Sequence, residues 1–194
     1  MTEGEDRLPP LPEAEWSEAQ RREALEVIQG PRGALISPFV PLLRSPELMG
    51  HAQRMGEYLR YRSSLGLRLS EFAILLVAKE WAQQVEWTIH APIAEREGVS
   101  RTTIESIAAG ERPPRMAEDE AVIYEFVMEL RAAKAVSDPT WRRAVELFGE
   151  PGVMDLTGIV GYYTFLAMVM NVARTPPPEA GRDCPPLRPT LPLS

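Results

Sequence analysis

Helix start and stop signals recur along this chain, whereas the alternating apolar pattern of strands does not. Ser17 followed by Gln20 forms a capping-box pattern, and the Gly-Pro pair at residues 30–31 ends the apolar periodicity after it. Residues 45–47, Ser-Pro-Glu, combine a capping hydroxyl, a proline at the first helical position and an acid in the first turn. The pattern predicts an all-α domain of six or seven helices over residues 16–175.

Proline and glycine divide the rest of this domain. Residues 32–46, R-G-A-L-I-S-P-F-V-P-L-L-R-S-P, are predicted to form a loop, because proline cannot continue a helix. A long helical region is predicted from Ser70 to a stop at Gly98. Shorter helices are predicted at residues 100–110, 117–135 and 138–149, followed by an apolar helix at 156–173.

The two ends of the chain differ from this helical body. Residues 1–15 are predicted to be flexible, and the proline-rich residues 176–194 are predicted to be extended or disordered. The chain's one cysteine, Cys184, lies in this tail, so neither a disulfide framework nor a cysteine metal site can form within one chain. The N-terminus lacks the basic and apolar regions of a signal peptide, which predicts a cytoplasmic protein.

Charge and hydropathy restrict the partners. The net charge of −7 argues against a nucleic-acid partner, because neutralising phosphates requires clustered Lys and Arg. Residues 156–173 carry no charged side chain and are about as long as a minimal membrane span. A helix buried in the core or in a subunit interface has the same composition, and Gly158 and Gly161 suit close helix packing. We interpret the segment as a buried helix and predict no membrane partner.

The stretch E-W-T-I-H places Glu86 one helical turn before His90 in a chain with only two histidines. A carboxylate at this spacing can hydrogen-bond an imidazole and hold its tautomer, which would make the two residues an acid–base pair. The alternative is an ordinary polar pair on a helix, worth a few tenths of a kcal/mol. The residues alone leave both interpretations open.

A wider set of motifs resembles a known family. The order G-P-R-G, P-F, L-R-S-P, then L-S-E-F-A-I-L-L-V-A and V-E-W-T-I-H-A-P-I-A-E-R-E-G-V-S, is similar to the carboxymuconolactone decarboxylase family of the alkylhydroperoxidase-D-like superfamily. The resemblance extends downstream through G-E-R-P-P, L-F-G-E-P-G-V and G-Y-Y. It implies an alkylhydroperoxidase-D-like helical bundle that self-associates as a trimer or hexamer and works without a cofactor.

The resemblance also assigns positions in the site. Peroxidase members of the superfamily carry a Glu, a CxxC motif and a His, and Glu71 and His90 stand at the outer two positions. Gln83 and Glu86 occupy the cysteine positions, so the thiol chemistry of a peroxidase is excluded.

Decarboxylation remains as the implied activity, on a small carboxylic acid that is possibly a lactone. Such an enzyme must bind the carboxylate, stabilise an enolate oxygen and deliver a proton to carbon. We predict that His90 is the general acid–base and that Glu86 orients its ring or shares its proton.

The place of Glu71 depends on the chain path. An unbroken helix would separate Glu71 from Glu86 by about 22 Å. The intervening K-E-W-A-Q-Q-V-E contains no Gly, Pro or strong N-cap, so local signals favour a continuous helix. The resemblance instead implies a break, with the His90 helix starting afresh near Gln83 or Val85.

Five other residues are candidates for substrate binding. Gln83 is a candidate because it occupies the first cysteine position of the CxxC motif. Trp87 could line an apolar pocket together with Trp81, Tyr162 and Tyr163. Arg44 and Arg54 could clamp a carboxylate, and His51 could face the pocket. The alternative for each is an ordinary core or solvated helix residue.

Other functions stay open at this point. Glu86 and His90 supply too few ligands for a metal site, so none is predicted. The same residues could serve a dehydratase, an isomerase or a hydrolase. A non-catalytic oligomeric binding or scaffold protein is the remaining alternative.

Overall fold

The computed structural model describes residues 5–178, 185 and 187, and this part of the chain is all-α without strands, as predicted. A 3-10 turn at Glu13–Glu15 precedes eight helices. Their bounds are α1 (Glu18–Gln29), α2 (Phe39–Leu42), α3 (Pro46–Tyr61), α4 (Gly66–Glu80), α5 (Gln84–Arg96), α6 (Arg101–Ala109), α7 (Glu118–Ala133) and α8 (Asp138–Ala173).

The predicted count of six or seven helices is therefore too low. The short α2 lies in the segment predicted to be a loop, and Pro41 is accommodated there because the first turn of a helix leaves its N–H groups unpaired. The helices predicted at 138–149 and 156–173 both lie within α8, which is interrupted by non-helical backbone at Gly149, where the first of them was predicted to end. Gly149 takes φ 68° and kinks α8, and Pro151 follows the kink where its missing N–H is again tolerated.

Local capping signals were more reliable. The capping box at Ser17 is confirmed, with the Gln20 amide nitrogen 3.2 Å from the Ser17 hydroxyl. Ser100 caps α6, and Gly110 ends that helix in the left-handed conformation at φ 78°. Pro46 opens α3 as predicted, although the Ser45 side chain makes no capping hydrogen bond.

The core is organised around α4. This helix contacts α3, α5, α6, α7 and α8, and every residue from Leu69 to Ala78 is buried. A helix in the centre of a domain is apolar on all sides, and most of these residues follow that rule. Glu71 does not, and its side chain is 0% exposed. A fully buried carboxylate needs nearby polar partners to replace its lost hydration.

The ends of the chain pack against the helical body where the structure describes them. The amide of Arg7 donates to the carbonyl of Ala173, and the Arg44 guanidinium donates to the carbonyls of Leu8 and Pro9. In the tail, Leu187 joins the hydrophobic core. Residues 1–4 and Cys184 lie outside the described residues.

Within the described residues, α8 is the one helix long and apolar enough to span a membrane by length and composition. Half of its most apolar stretch is buried inside the fold. A core helix of a water-soluble protein meets the same two criteria. The interpretation as a buried helix therefore stays a prediction.

Candidate active site

A sharp turn between α4 and α5 brings the two predicted acids into one region. Trp81 ends α4, Ala82 takes φ 48°, and Gln83 is extended before α5 begins at Gln84. The break implied by the family resemblance is confirmed, and the continuous helix favoured by local signals is wrong.

The turn is stabilised from a distant part of the chain. Gln83 caps α5, because its side-chain oxygen accepts from the Val85 amide at 2.6 Å. The same side chain donates to Asn171 of α8 at 2.8 Å, and Asn171 donates to the Trp81 carbonyl at 3.1 Å. These bonds satisfy polar groups that the helix break would otherwise leave unpaired. Gln83 is thus a structural residue rather than a substrate-binding one.

His90 is hydrogen-bonded to Glu71 in the interior. The His90 Nδ1 lies 2.6 Å from the Glu71 Oε2, and His90 is 5% exposed. The second Glu71 oxygen lies 4.0 Å from the Arg60 Nε. With Glu71 ionised, Nδ1–H donates to the carboxylate, so Nε2 is the nitrogen that remains for a ligand. The prediction that Glu86 orients the ring is wrong, since Glu71 holds that position.

The ring also contacts the aromatic side chains of α8. Tyr163 packs edge-on against His90 with ring centroids 5.2 Å apart, and Tyr162 packs in the same manner against Tyr163 at 5.3 Å. Burial raises the pKa of Tyr163 well above its usual value and that of Tyr162 to about 12, so both phenols stay protonated at neutral pH. Together with the Glu71 bond, these contacts fix the orientation of the imidazole.

A cleft reaches His90 from the surface. The cleft is narrow: the space in it that can hold water-sized molecules is about 40 Å³, well below the roughly 300–1,000 Å³ of typical small-molecule sites. Its apolar walls come from α2, α5, α8 and the loop before α2, and its polar lining includes Arg32, Arg60, Glu86 and Tyr162.

Two arginines line this cleft, and their positive charges have few carboxylate partners nearby. Arg32 donates to the Gln53 side chain at 2.7 Å and lies 4.8 Å from the Phe39 ring centre, and it has no carboxylate partner among the described residues. Arg60 has Glu71 as its only ion-pair partner in the described part of the chain. The cleft is therefore electropositive in a protein of net charge −7, which favours an anionic ligand.

Glu86 is the one acid that lines the cleft. It is 3% exposed, and neither carboxyl oxygen has a hydrogen-bond partner among the described residues. Burial raises its pKa well above the usual value. Burial therefore favours the neutral, protonated form of this side chain.

The remaining substrate-binding predictions need correction, because none of these residues lines the cleft. Trp87 is fully buried in the core, where its indole donates to the Pro185 carbonyl at 2.6 Å. Arg44 holds the N-terminal segment, and Arg54 pairs with Glu26 at 2.8 Å. His51 is exposed on α3.

Sequence reasoning missed both arginines of the cleft. Arg32 lies in the G-P-R-G motif, which was not assigned a role in binding, and Arg60 lies near the end of α3 outside the quoted motifs. Tyr162 and Tyr163 line the cleft, as the aromatic pattern allowed. The described residues contain no group of three or more His, Cys, Asp or Glu side chains placed to hold a metal ion.

Comparison with known proteins does not identify the chain. No protein-family model, no curated protein and no solved structure matches it significantly. The family resemblance thus remains a prediction from the motifs.

Proposed function

We propose that this protein is a cofactor-independent lyase of the carboxymuconolactone decarboxylase type, which acts on a small carboxylated substrate, possibly a lactone. The observation that carries the proposal is the Glu71–His90 hydrogen bond beside an electropositive cleft. A buried carboxylate that holds an imidazole by one nitrogen leaves the other nitrogen for proton transfer.

Arg32 and Arg60 supply the recognition step in this proposal. Both guanidinium groups line the cleft, and their planar donors suit a carboxylate. They take the role that the sequence analysis assigned to Arg44 and Arg54. Tyr162 stands beside Arg32, and its hydroxyl has no well-aligned hydrogen bond among the described residues, so it is available to a ligand.

His90 supplies the proton-transfer step. Loss of CO2 breaks a carbon–carbon bond and leaves the electron pair on the remaining fragment, where a conjugated carbonyl accepts it as an enolate. Protonated His90 then donates a proton to carbon, and the ring regains a proton from solvent. The access of the cleft to His90 also argues against an inert scaffold, in which the ring would be sealed among packed side chains.

The test is an assay of CO2 release from a panel of lactone and keto carboxylic acids, each with its decarboxylated analogue as a control. The proposal expects release from at least one acid, in a reaction that needs no added metal or cofactor. Conversion of the same acids without CO2 release would favour the isomerase, dehydratase or hydrolase alternative. Absence of any conversion would contradict the enzyme proposal.

Self-association is a second part of the proposal. One face of α8 is uncharged and exposed, with Met154 55%, Met168 41% and Val172 66% exposed. Together with Gly161 and Phe165, these residues follow the three-and-four spacing of helix–helix seams. We assign this face to contact with a second copy of the chain.

Met168→Glu is expected to weaken that contact by more than about a hundredfold, because burying an unpaired charge costs several kcal/mol. Size-exclusion chromatography with light scattering measures the change as a shift from the oligomer to a smaller species. Met55→Glu, at a residue 46% exposed on α3, is the matched control and should leave the oligomer intact. A monomeric wild-type protein, or equal dissociation of both variants, would contradict the assignment.

A further inference from the structure

Glu86 has a position that the proposed acid–base pair leaves unexplained. The side chain lies in the cleft, yet both carboxyl oxygens are shielded from solvent and unpartnered within the described part of the chain. A buried polar group without a hydrogen bond destabilises the fold, because it has lost its water partners and gained none in the protein. Such a cost at a cleft indicates a group kept for a ligand, because packing alone would favour an apolar side chain here.

The neighbours of Glu86 do not compensate a negative charge. His90 is already bonded to Glu71, and no ion pair joins Glu86 to either cleft arginine. Glu86 does lie in the first turn of α5, where the helix dipole weakly favours an anion. That contribution is small beside the penalty of burying an unpaired carboxylate, so the neutral acid prevails.

We infer that Glu86 works as a neutral carboxylic acid whose O–H donates a hydrogen bond to a carbonyl oxygen of the bound substrate. The inference rests on the proposed function for the nature of the ligand, a small carboxylate, and adds that this ligand carries a carbonyl group. Glu86 and His90 lie one turn apart on the same face of α5, so one small molecule can reach both.

The donor fits the electron flow of the proposed reaction. When the electron pair of the broken carbon–carbon bond moves onto the carbonyl oxygen, the O–H of Glu86 stabilises the developing negative charge. The pair returns to carbon when His90 delivers its proton there, and Glu86 keeps its own proton throughout. Glu86 is thus a catalytic residue that binds the oxyanion, distinct from the acid–base role of His90.

Infrared spectroscopy tests the protonation state directly. The wild-type protein at neutral pH is expected to show the carbonyl stretch of a protonated carboxylic acid, and Glu86→Gln is expected to lack it. Glu105→Gln, which changes an exposed acid on α6, is the matched control and should keep the band. A spectrum unchanged by Glu86→Gln would overturn the inference.

The stability of Glu86→Gln gives a second measure. A folded-state pKa above the unfolded value means that the wild-type stability falls as pH rises through the folded pKa. The Tm of Glu86→Gln relative to wild type should therefore increase from acidic to alkaline pH, and a constant difference would count against the neutral acid. Wild type and Glu86→Gln share all other charged and titratable groups near residue 86, so their difference in Tm reports Glu86 itself. These shared groups are Arg32, Arg60, Glu71, His90, Tyr162 and Tyr163.

Binding separates this inference from the reaction itself. Levulinate and pentanoate are matched probes, because both carry a carboxylate and only levulinate carries a keto oxygen. Calorimetry is expected to show at least about tenfold tighter binding of levulinate, which corresponds to one hydrogen bond. Glu86→Gln keeps a donor and should retain the preference, whereas Glu86→Leu should lose it.

The outcomes are distinct from those of the CO2 assay. A preference for levulinate that persists in Glu86→Leu, or no binding of either probe to the wild type, would overturn the inference. A preference that depends on Glu86, found without CO2 release from any acid, would support the inference and refute decarboxylation.

Discussion

Replacing His90 with alanine is expected to lower turnover by about 10²–10⁴-fold, the range for losing a positioned general acid–base. The reason is geometric, since the Glu71 bond fixes one ring nitrogen and directs the chemistry to the other. The measurement is kcat for the best acid found in the CO2 assay. KM should change less than kcat, because Arg32 and Arg60 still bind the carboxylate.

The chain provides its own control for this experiment. His51 is the other histidine, and it is exposed on α3 outside the cleft, so His51→Ala should keep full activity. Circular dichroism and oligomer size should match among wild type and both variants, which separates a catalytic loss from misfolding. Full activity in His90→Ala would refute the acid–base role.

Glu71→Gln refines the interpretation, because the amide oxygen can still accept from Nδ1–H while the negative charge is gone. If Glu71 mainly orients the ring, this variant should show a smaller loss than His90→Ala. A loss equal to that of His90→Ala would mean that the charge of Glu71 is as essential as the imidazole.

Local signals predicted the helices that they control. The capping box at Ser17 and the cap at Ser100 depend on residues within the same turn, so the sequence contains all the information they need. The break after Trp81 depends on Asn171, which is 90 residues away along the chain, and no local pattern could reveal it. The family resemblance indicated the break because a family pattern already includes such distant contacts.

In the candidate site too, local motifs marked some residues, whereas the contacts among them depend on the tertiary fold. The structure brings Glu71 next to His90, whereas the predicted bond between Glu86 and His90 is not formed. Helical spacing makes Glu86 and His90 neighbours on one face, whereas the bond that forms is set by the packing of α4 beneath α5. The cleft arginines are brought together only by the tertiary fold, so Arg44 and Arg54 were equally plausible in the sequence.

A buried acid on α8 is expected to be essential for the position of the cleft wall. Asp155 accepts hydrogen bonds from the Ser64 amide at 2.8 Å, the Ser64 hydroxyl at 2.9 Å and the Tyr58 hydroxyl at 2.9 Å. These bonds tie α8 to the end of α3 and to the loop before α4. Asp155→Ala should lower the free energy of unfolding by about 1–3 kcal/mol, because it removes a buried charged acceptor, while water can partly replace that acceptor at the exposed Ser64.

The difference in unfolding free energy between wild type and Asp155→Asn is expected to change with pH in one direction. Burial by itself raises the pKa of Asp155, but the hydrogen bonds from Ser64 and Tyr58 outweigh it and hold the pKa below the usual 3.8. A lowered folded-state pKa means that the stabilisation is present above the unfolded pKa and is lost as pH falls through the folded pKa. Urea unfolding should therefore separate Asp155→Asn from wild type at pH 7, and the difference should shrink as the pH falls below 3.8 toward the lowered folded-state pKa.

Tyr58→Phe is a milder change at the same site, because it removes the hydrogen bond from Tyr58 to Asp155 and leaves both Ser64 bonds in place. Tyr58 is 43% exposed, so water can replace its partner and the loss of stability should be smaller than in Asp155→Asn. If Asp155→Asn equals wild type at every pH, the carboxylate charge contributes nothing to the fold. The cleft wall formed by α8 would then be held by its packing against α2, α3, α4 and α7.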